Sequence, residues 1–267
     1  MKNLSSEHLR KSVLDMAYSG GTVHIACAFS IIEICAVIYE KFLNLGSSIK
    51  DEDRDIFALS KGHGVMAVYA CLKEIGYLTA DDLAHYFKDG TKLKGLSDCH
   101  VPGLEVTSGS LGHGLSVAVG MALASKLKKN KQKIYCVVGD GESNEGSIWE
   151  AILFAAHWKL DNLTIIFDCN GFQAMGSIAD VMEMDSLKKK LEAFNFETLE
   201  IDGHNRKEIE ESLSKLNVLP SQRPKALIAR TVKGKGISFM HANNEWHYTR
   251  LNQQTYAAAL SELGFKI

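Results

Sequence analysis

A chain of 267 residues with 46% apolar residues, 22 glycines and 3 prolines can bury a substantial core, read here as a single domain over 1–267. Its net charge of −2 argues against nucleic acid, and the basic stretch at 126–133 reads as a solvated helix end and loop. The apolar run at 115–124 is too short for a bilayer and no signal-type segment opens the sequence, so the expectation is a cytoplasmic protein that meets no membrane.

The six cysteines form no C-x-x-C pair, and several sit in apolar runs, which implies small buried thiols there, a reducing setting and no zinc site. At the N-terminus, Leu4, Leu9, Val13, Met16 and Ala17 fall near helical spacing. Residues 51–55 read as an exposed acidic loop, 57–59 as a strand and 65–75 as a helix, and Thr79 with Asp82 forms a capping-box pattern. Over 115–124 a helix is expected, on which Gly114, Ala118 and Ala122 recur every four residues and let another backbone approach. Strands follow at 134–138 and 163–167 around a helix at 148–156, then at 198–201 and 226–230, with a linker at 216–224. This alternation gives an α/β fold: a mainly parallel sheet with helices on both faces.

In such sheets ligands bind outside the carboxyl ends of the strands. Asp140 and Asn170 each end a strand and should therefore point into one crevice. A carboxylate and an amide oxygen flanked by glycine suit Mg²⁺ or Ca²⁺ holding a phosphate group. By itself, Gly139-Asp140-Gly141 reads equally well as a tight turn.

The string from Gly139 through Glu145 to Ala151, followed by Phe167-Asp168-Cys169-Asn170-Gly171, resembles the thiamine diphosphate motif of the transketolase family. Ser60-Lys61-Gly62-His63-Gly64, the segment from Ser108 to Ser116, Thr231 to Gly236, and Glu245-Trp246-His247 resemble further transketolase segments, in the family's order. The resemblance implies a thiamine diphosphate-binding (PP-type) domain, the first of the family's three. The aminopyrimidine-binding and C-terminal domains would lie on a separate C-terminal subunit, in an α₂β₂ assembly. It also implies an active site completed by that partner, and transfer of a two-carbon ketol unit from a ketose to an aldose. Two other readings remain. One is another thiamine diphosphate enzyme, a synthase using a 2-oxo acid or a dehydrogenase α subunit. The other is a non-catalytic regulatory partner.

Residue by residue, the resemblance gives the metal (Mg²⁺, with Ca²⁺ or Mn²⁺ as alternatives) the side chains of Asp140 and Asn170 and the carbonyl of Phe172, with Glu145 bracing the site. It sets the Gly141 amide, Lys61, His63 and Lys233 near the diphosphate, and Gly109 and Leu111 against the rings. His24, His63 and His247 are the implied catalytic histidines, suited to proton transfer because imidazole titrates near neutrality. His157 is left to a packed helix face with Phe154 and Trp158. Departures cluster on the sugar side. Val23-His24-Ile25-Ala26-Cys27 replaces three family glycines, and Gly95-Leu96-Ser97 lacks the family histidine, with His100 close by. Tyr248 follows His247 where glycine is usual, and His113 replaces a glutamine. An atypical sugar, modified or nucleotide-linked, is the expectation.

Overall fold

The computed structural model describes residues 3–219 and 221–266. Five parallel strands form the central sheet in the order Ile56–Leu59, Ile134–Gly139, Leu163–Cys169, Lys225–Arg230 and Glu197–Asp202. The register is regular, with Ile134 beside Leu163 and Phe167 beside Ile228. Each expected strand is present.

Period-2 alternation sends successive strand side chains to opposite faces, and two cores result. Tyr135, Val137, Ile166 and Leu227 join one cluster; Ile134, Cys136, Val138, Ile165 and Phe167 join the other. Helices Ser6–Gly20, Val65–Ile75 and Arg206–Val218 cover the first face, and His113–Leu127, Gly146–His157 and Leu187–Ala193 cover the second. A strand covered on both faces carries near-continuous apolar sequence, and Ile134–Gly139 is buried throughout.

The expected capping box at Thr79 is formed with Asp82. Gly114, Ala118 and Ala122 are buried, and a Cβ on Gly114 would lie 2.5 Å from the Ser60 Cα, the close backbone approach that their spacing anticipated.

Three expectations are corrected. Asp55 is buried rather than part of an exposed loop, because its carboxylate accepts the amides of Asn44 (2.9 Å) and Lys133 (2.7 Å) and ties the sheet edge to the preceding turn. The helix Arg206–Val218 takes up the start of the linker expected at 216–224, and Pro220 lies outside the described residues. Phe154 and Trp158 are 42% and 45% exposed and His157 is also outward, so that side of Gly146–His157 is unpacked within this chain.

Candidate active site

Four adjacent strands deliver their C-terminal ends to one edge of the sheet: Leu59 leads to Lys61, Gly139 to Asp140, Cys169 to Asn170, and Arg230 to Lys233. A cavity of about 230 Å³ opens there. Lys61, His63, Asp140, Gly141, Asn170 and Phe172 line it on the strand side. Gly109 and Leu111, from the loop before the His113–Leu127 helix, close a second side, and His24 and His247 a third.

The Asp140 carboxylate accepts the amides of Gly141 (2.8 Å) and Gly171 (2.7 Å). Burial, and next the negative charge of Asp168, push its pKa up to about 6. Asn170 Nδ2 donates to Asp168 (3.1 Å), and its Oδ1 accepts the Phe172 amide (3.1 Å). Asp168 is fully buried and receives Lys61, Ser30 and Thr231. Lys61 is buried too and spends its charge on Asp168, so it does not present a free ammonium to the cavity.

These residues fit a divalent cation and a diphosphate. Asp140 is a buried carboxylate that forms no ion pair among the described residues, and it stands beside a neutral amide oxygen, the hard donors that Mg²⁺ takes. Glycine at 141 lets Gln173 pack close: a Cβ there would come 2.6 Å from the Gln173 Cβ. Gln173 lines the same cavity, and its Nε2 is buried without a hydrogen-bond partner among the described residues, a donor available to an anionic oxygen.

The histidines meet through a pairing that local sequence does not announce. Thr22–Val23 runs antiparallel to Thr249–Arg250, with Val23 opposite Thr249, and this draws His24 beside the His247 segment. The His24 ring lies 5.2 Å from His247 and 5.5 Å from His63, and those two are 5.8 Å apart. Burial first, then the charges of Lys233 and Lys61, lower His24 to about 4; burial and Lys233 lower His247 to about 3. Burial takes His63 well below its usual value. All three are therefore neutral near pH 7. Lys233 Nζ sits 2.8 Å from His247 Nδ1. An ammonium only donates, so Nδ1 accepts and Nε2 carries the proton.

Lys233 does not line the cavity itself. It lies behind His247, held by Asn244 Oδ1 (2.5 Å) and over the Phe172 ring (5.7 Å). Its loop is fixed from outside the site: Arg10 Nε donates to the Lys235 carbonyl (2.9 Å), and the Val232 amide donates to His204 Nε2 (2.8 Å). Arg10 and His204 both grip the buried Glu33.

Glu145 is exposed and outside the cavity, so it does not brace the site within this chain. Glu142 does. Its Oε1 receives the Ser60 hydroxyl (2.6 Å) and the Gly112 amide (2.9 Å), and its Oε2 the Gly139 amide (3.0 Å). His113 is exposed and lies off the cavity. His100 is exposed, its ring held by Asp98 (2.7 Å), while Leu96 faces the cavity. Cys27, one of the residues that stand in place of family glycines, also lines it, with Sγ 3.6 Å from His247 Nδ1.

A family profile described as the transketolase thiamine diphosphate binding domain matches residues 1–267. The chain is 42% identical over 256 residues to a subunit of the apulose-4-phosphate transketolase of Actinobacillus succinogenes, covering 95% of this chain and 92% of that protein. It is 35% identical over 257 residues to the SqwG subunit of the 6-deoxy-6-sulfo-D-fructose transketolase of a Clostridium species, covering 96% and 93%. The solved transketolase of Campylobacter jejuni superposes with a TM-score of 0.93 at 28% identity, covering 99% of this chain and 43% of that one. For the Leishmania mexicana enzyme the TM-score is 0.88 at 27% identity, covering 98% and 41%. The chain thus spans about two-fifths of the length of these two solved relatives.

Proposed function

This chain belongs to the transketolase family, matching its thiamine diphosphate binding domain throughout, and we propose that it is one subunit of a two-chain, metal-dependent transketolase. The observation that carries the reading is the cavity at the strand ends, which Asp140 and Asn170 line together with three neutral histidines. Asp140, Asn170 and the Phe172 main-chain oxygen would hold Mg²⁺, and Gly141, Gln173 and His63 would meet the diphosphate. When bound, thiamine diphosphate supplies the electron sink that lets a carbon–carbon bond beside a ketose carbonyl break.

This chain's own residues bind and move protons. Neutral His24 accepts a proton from a substrate hydroxyl, and His247, with its proton on Nε2, donates a hydrogen bond to a substrate oxygen. Lys233 fixes that tautomer. The cofactor's aminopyrimidine end and the far side of the cavity fall to a partner chain. Two relatives of similar length are named as single subunits of a transketolase, and an apolar surface including Val117, Leu127, Leu153, Phe154 and Trp158 stands uncovered here. An α₂β₂ assembly follows from the two-fold symmetry common among oligomers. The named substrates of the relatives, apulose-4-phosphate and 6-deoxy-6-sulfo-D-fructose, support an atypical sugar.

The test is calorimetric titration of thiamine diphosphate with Mg²⁺ into the chain, with and without its co-encoded partner. The expected result is tight binding with the partner, lost in Asp140→Ala. Cofactor binding that survives Asp140→Ala, or none in either state, removes the reading.

A further inference from the structure

At the end of the sheet opposite Asp140, the strands Ile134–Gly139, Leu163–Cys169 and Lys225–Arg230 begin side by side, and a cleft of about 340 Å³ opens where they start. Part of the basic stretch at 126–133 turns into it: Lys126, Lys131 and Lys133 line the cleft with Lys225, and the carboxylate among them is Asp161. Lys126 answers Asp161 (3.1 Å), whereas Lys131, Lys133 and Lys225 form no ion pair among the described residues.

Lys225 is 7% exposed, and its Nζ makes one hydrogen bond among the described residues, to the Asp161 carbonyl (2.7 Å). An ammonium has three donors, so two are left over. Burial pushes its pKa below the usual lysine value; Asp161 opposes this and Lys133 adds to it. A buried cation without a counter-ion is costly, and a bound anion offsets that cost. Two more polar atoms of cleft residues are buried without a hydrogen-bond partner among the described residues: Ser221 Oγ, which can donate, and Asn162 Oδ1, which only accepts. Asn162 Nδ2 donates to the carbonyls of Ala122 (3.0 Å) and Gln132 (3.4 Å), which fixes that oxygen in place.

The unfilled donors call for an anion with several acceptor oxygens, as a phosphate group has. The dianion of a phosphate ester has no proton to give Asn162, so a hydroxyl on the attached skeleton must supply it. We propose that this cleft binds a small hydroxylated phosphate monoester, its phosphate on Lys225, Lys133 and Ser221 and a hydroxyl on Asn162. The site lies a strand's length, roughly 20 Å, from Asp140, and ketol transfer plays no part in it.

The full-length chain, isotope-labelled and followed by NMR, is titrated with sn-glycerol 3-phosphate, methyl phosphate and glycerol. None of the three has a carbonyl, so none can be a ketol donor or acceptor. The expected dissociation constant for glycerol 3-phosphate is about 1 mM or below, with methyl phosphate weaker by about threefold or more and glycerol not binding. The amide signals of Lys133, Asn162 and Lys225 should move, and those of Gly141 and Asn170 should stay. Lys225→Met should weaken binding by about tenfold or more, and Lys133→Met, at an exposed position that leaves the fold alone, by about threefold or more. Lys128→Met, in the same basic stretch but outside the cleft, should change it by less than about twofold. The proposal is overturned by a dissociation constant for glycerol 3-phosphate above about 10 mM, by equal affinity for methyl phosphate, or by signals that move at Gly141 and Asn170 instead. An affinity that Lys225→Met and Lys133→Met leave unmoved, or that Lys128→Met lowers as much as they do, overturns it too.

Discussion

Arg10→Met should both destabilise the chain and loosen the loop that carries Lys233. Arg10 meets Glu33 through two hydrogen bonds (2.6 and 3.0 Å) in a setting where both side chains are under a tenth exposed. Burial alone would raise the Glu33 pKa, but hydrogen bonds from His204 and Arg10 outweigh it and hold the pKa down to about 2, from a usual 4.5. At ~1.4 kcal/mol per pH unit, that depression is worth about 3 kcal/mol. Breaking one side of a buried ion pair independently costs about 3–5 kcal/mol. Thermal unfolding of the isolated chain should therefore fall by about 6–15 °C. Because the folded pKa is depressed, the contribution is present above pH 4.5 and fades as pH falls towards 2, so the gap between wild type and variant should narrow there. The double variant with Glu33→Gln should lose less than the sum of the two single losses, because the groups share one network. A loss below about 1 kcal/mol, or additivity within about 0.5 kcal/mol, refutes the reasoning.

Gly114→Ala sets a Cβ 2.5 Å from the Ser60 Cα and should cost about 1–3 kcal/mol while weakening cofactor binding; Gly120→Ala, with nothing within 4 Å, should stabilise by up to about 1 kcal/mol. Urea titrations of the pair check both signs. His24 keeps its proton off down to about pH 4 in the folded chain, whereas the unfolded chain takes it up near 6.5, so the isolated chain should lose stability as pH falls through that window. An NMR titration showing His24 protonated above pH 6 contradicts this. Phe154→Glu and Trp158→Glu lie on the uncovered face and should change the isolated chain's stability by less than about 0.5 kcal/mol, yet weaken the partner by tenfold or more. Unchanged partner affinity counts against that face as the interface.

What was legible in the sequence was whatever short-range pattern encodes. The buried strands read as apolar runs, and the glycine-flanked Asp140 and Asn170 marked strand ends. The part Glu142 plays was not legible because it depends on Ser60 and Gly112, far away in sequence. Asp55 hid among exposed acids because its partners are backbone amides, which carry no residue signature.

The carboxylate of Glu142 has a consequence for the order in which this molecule matures. It joins segments that leave the ribosome far apart: the Ser60 turn, the Gly112 loop and the end of the Ile134–Gly139 strand. Until residue 142 has emerged, the two earlier segments lack the acceptor that orients them, and a nascent chain stopped short of it has no cradle. The Ser60 turn and the Gly112 loop therefore take their final setting only after residue 142 is made, and a fragment ending before Glu142 should leave both unfixed.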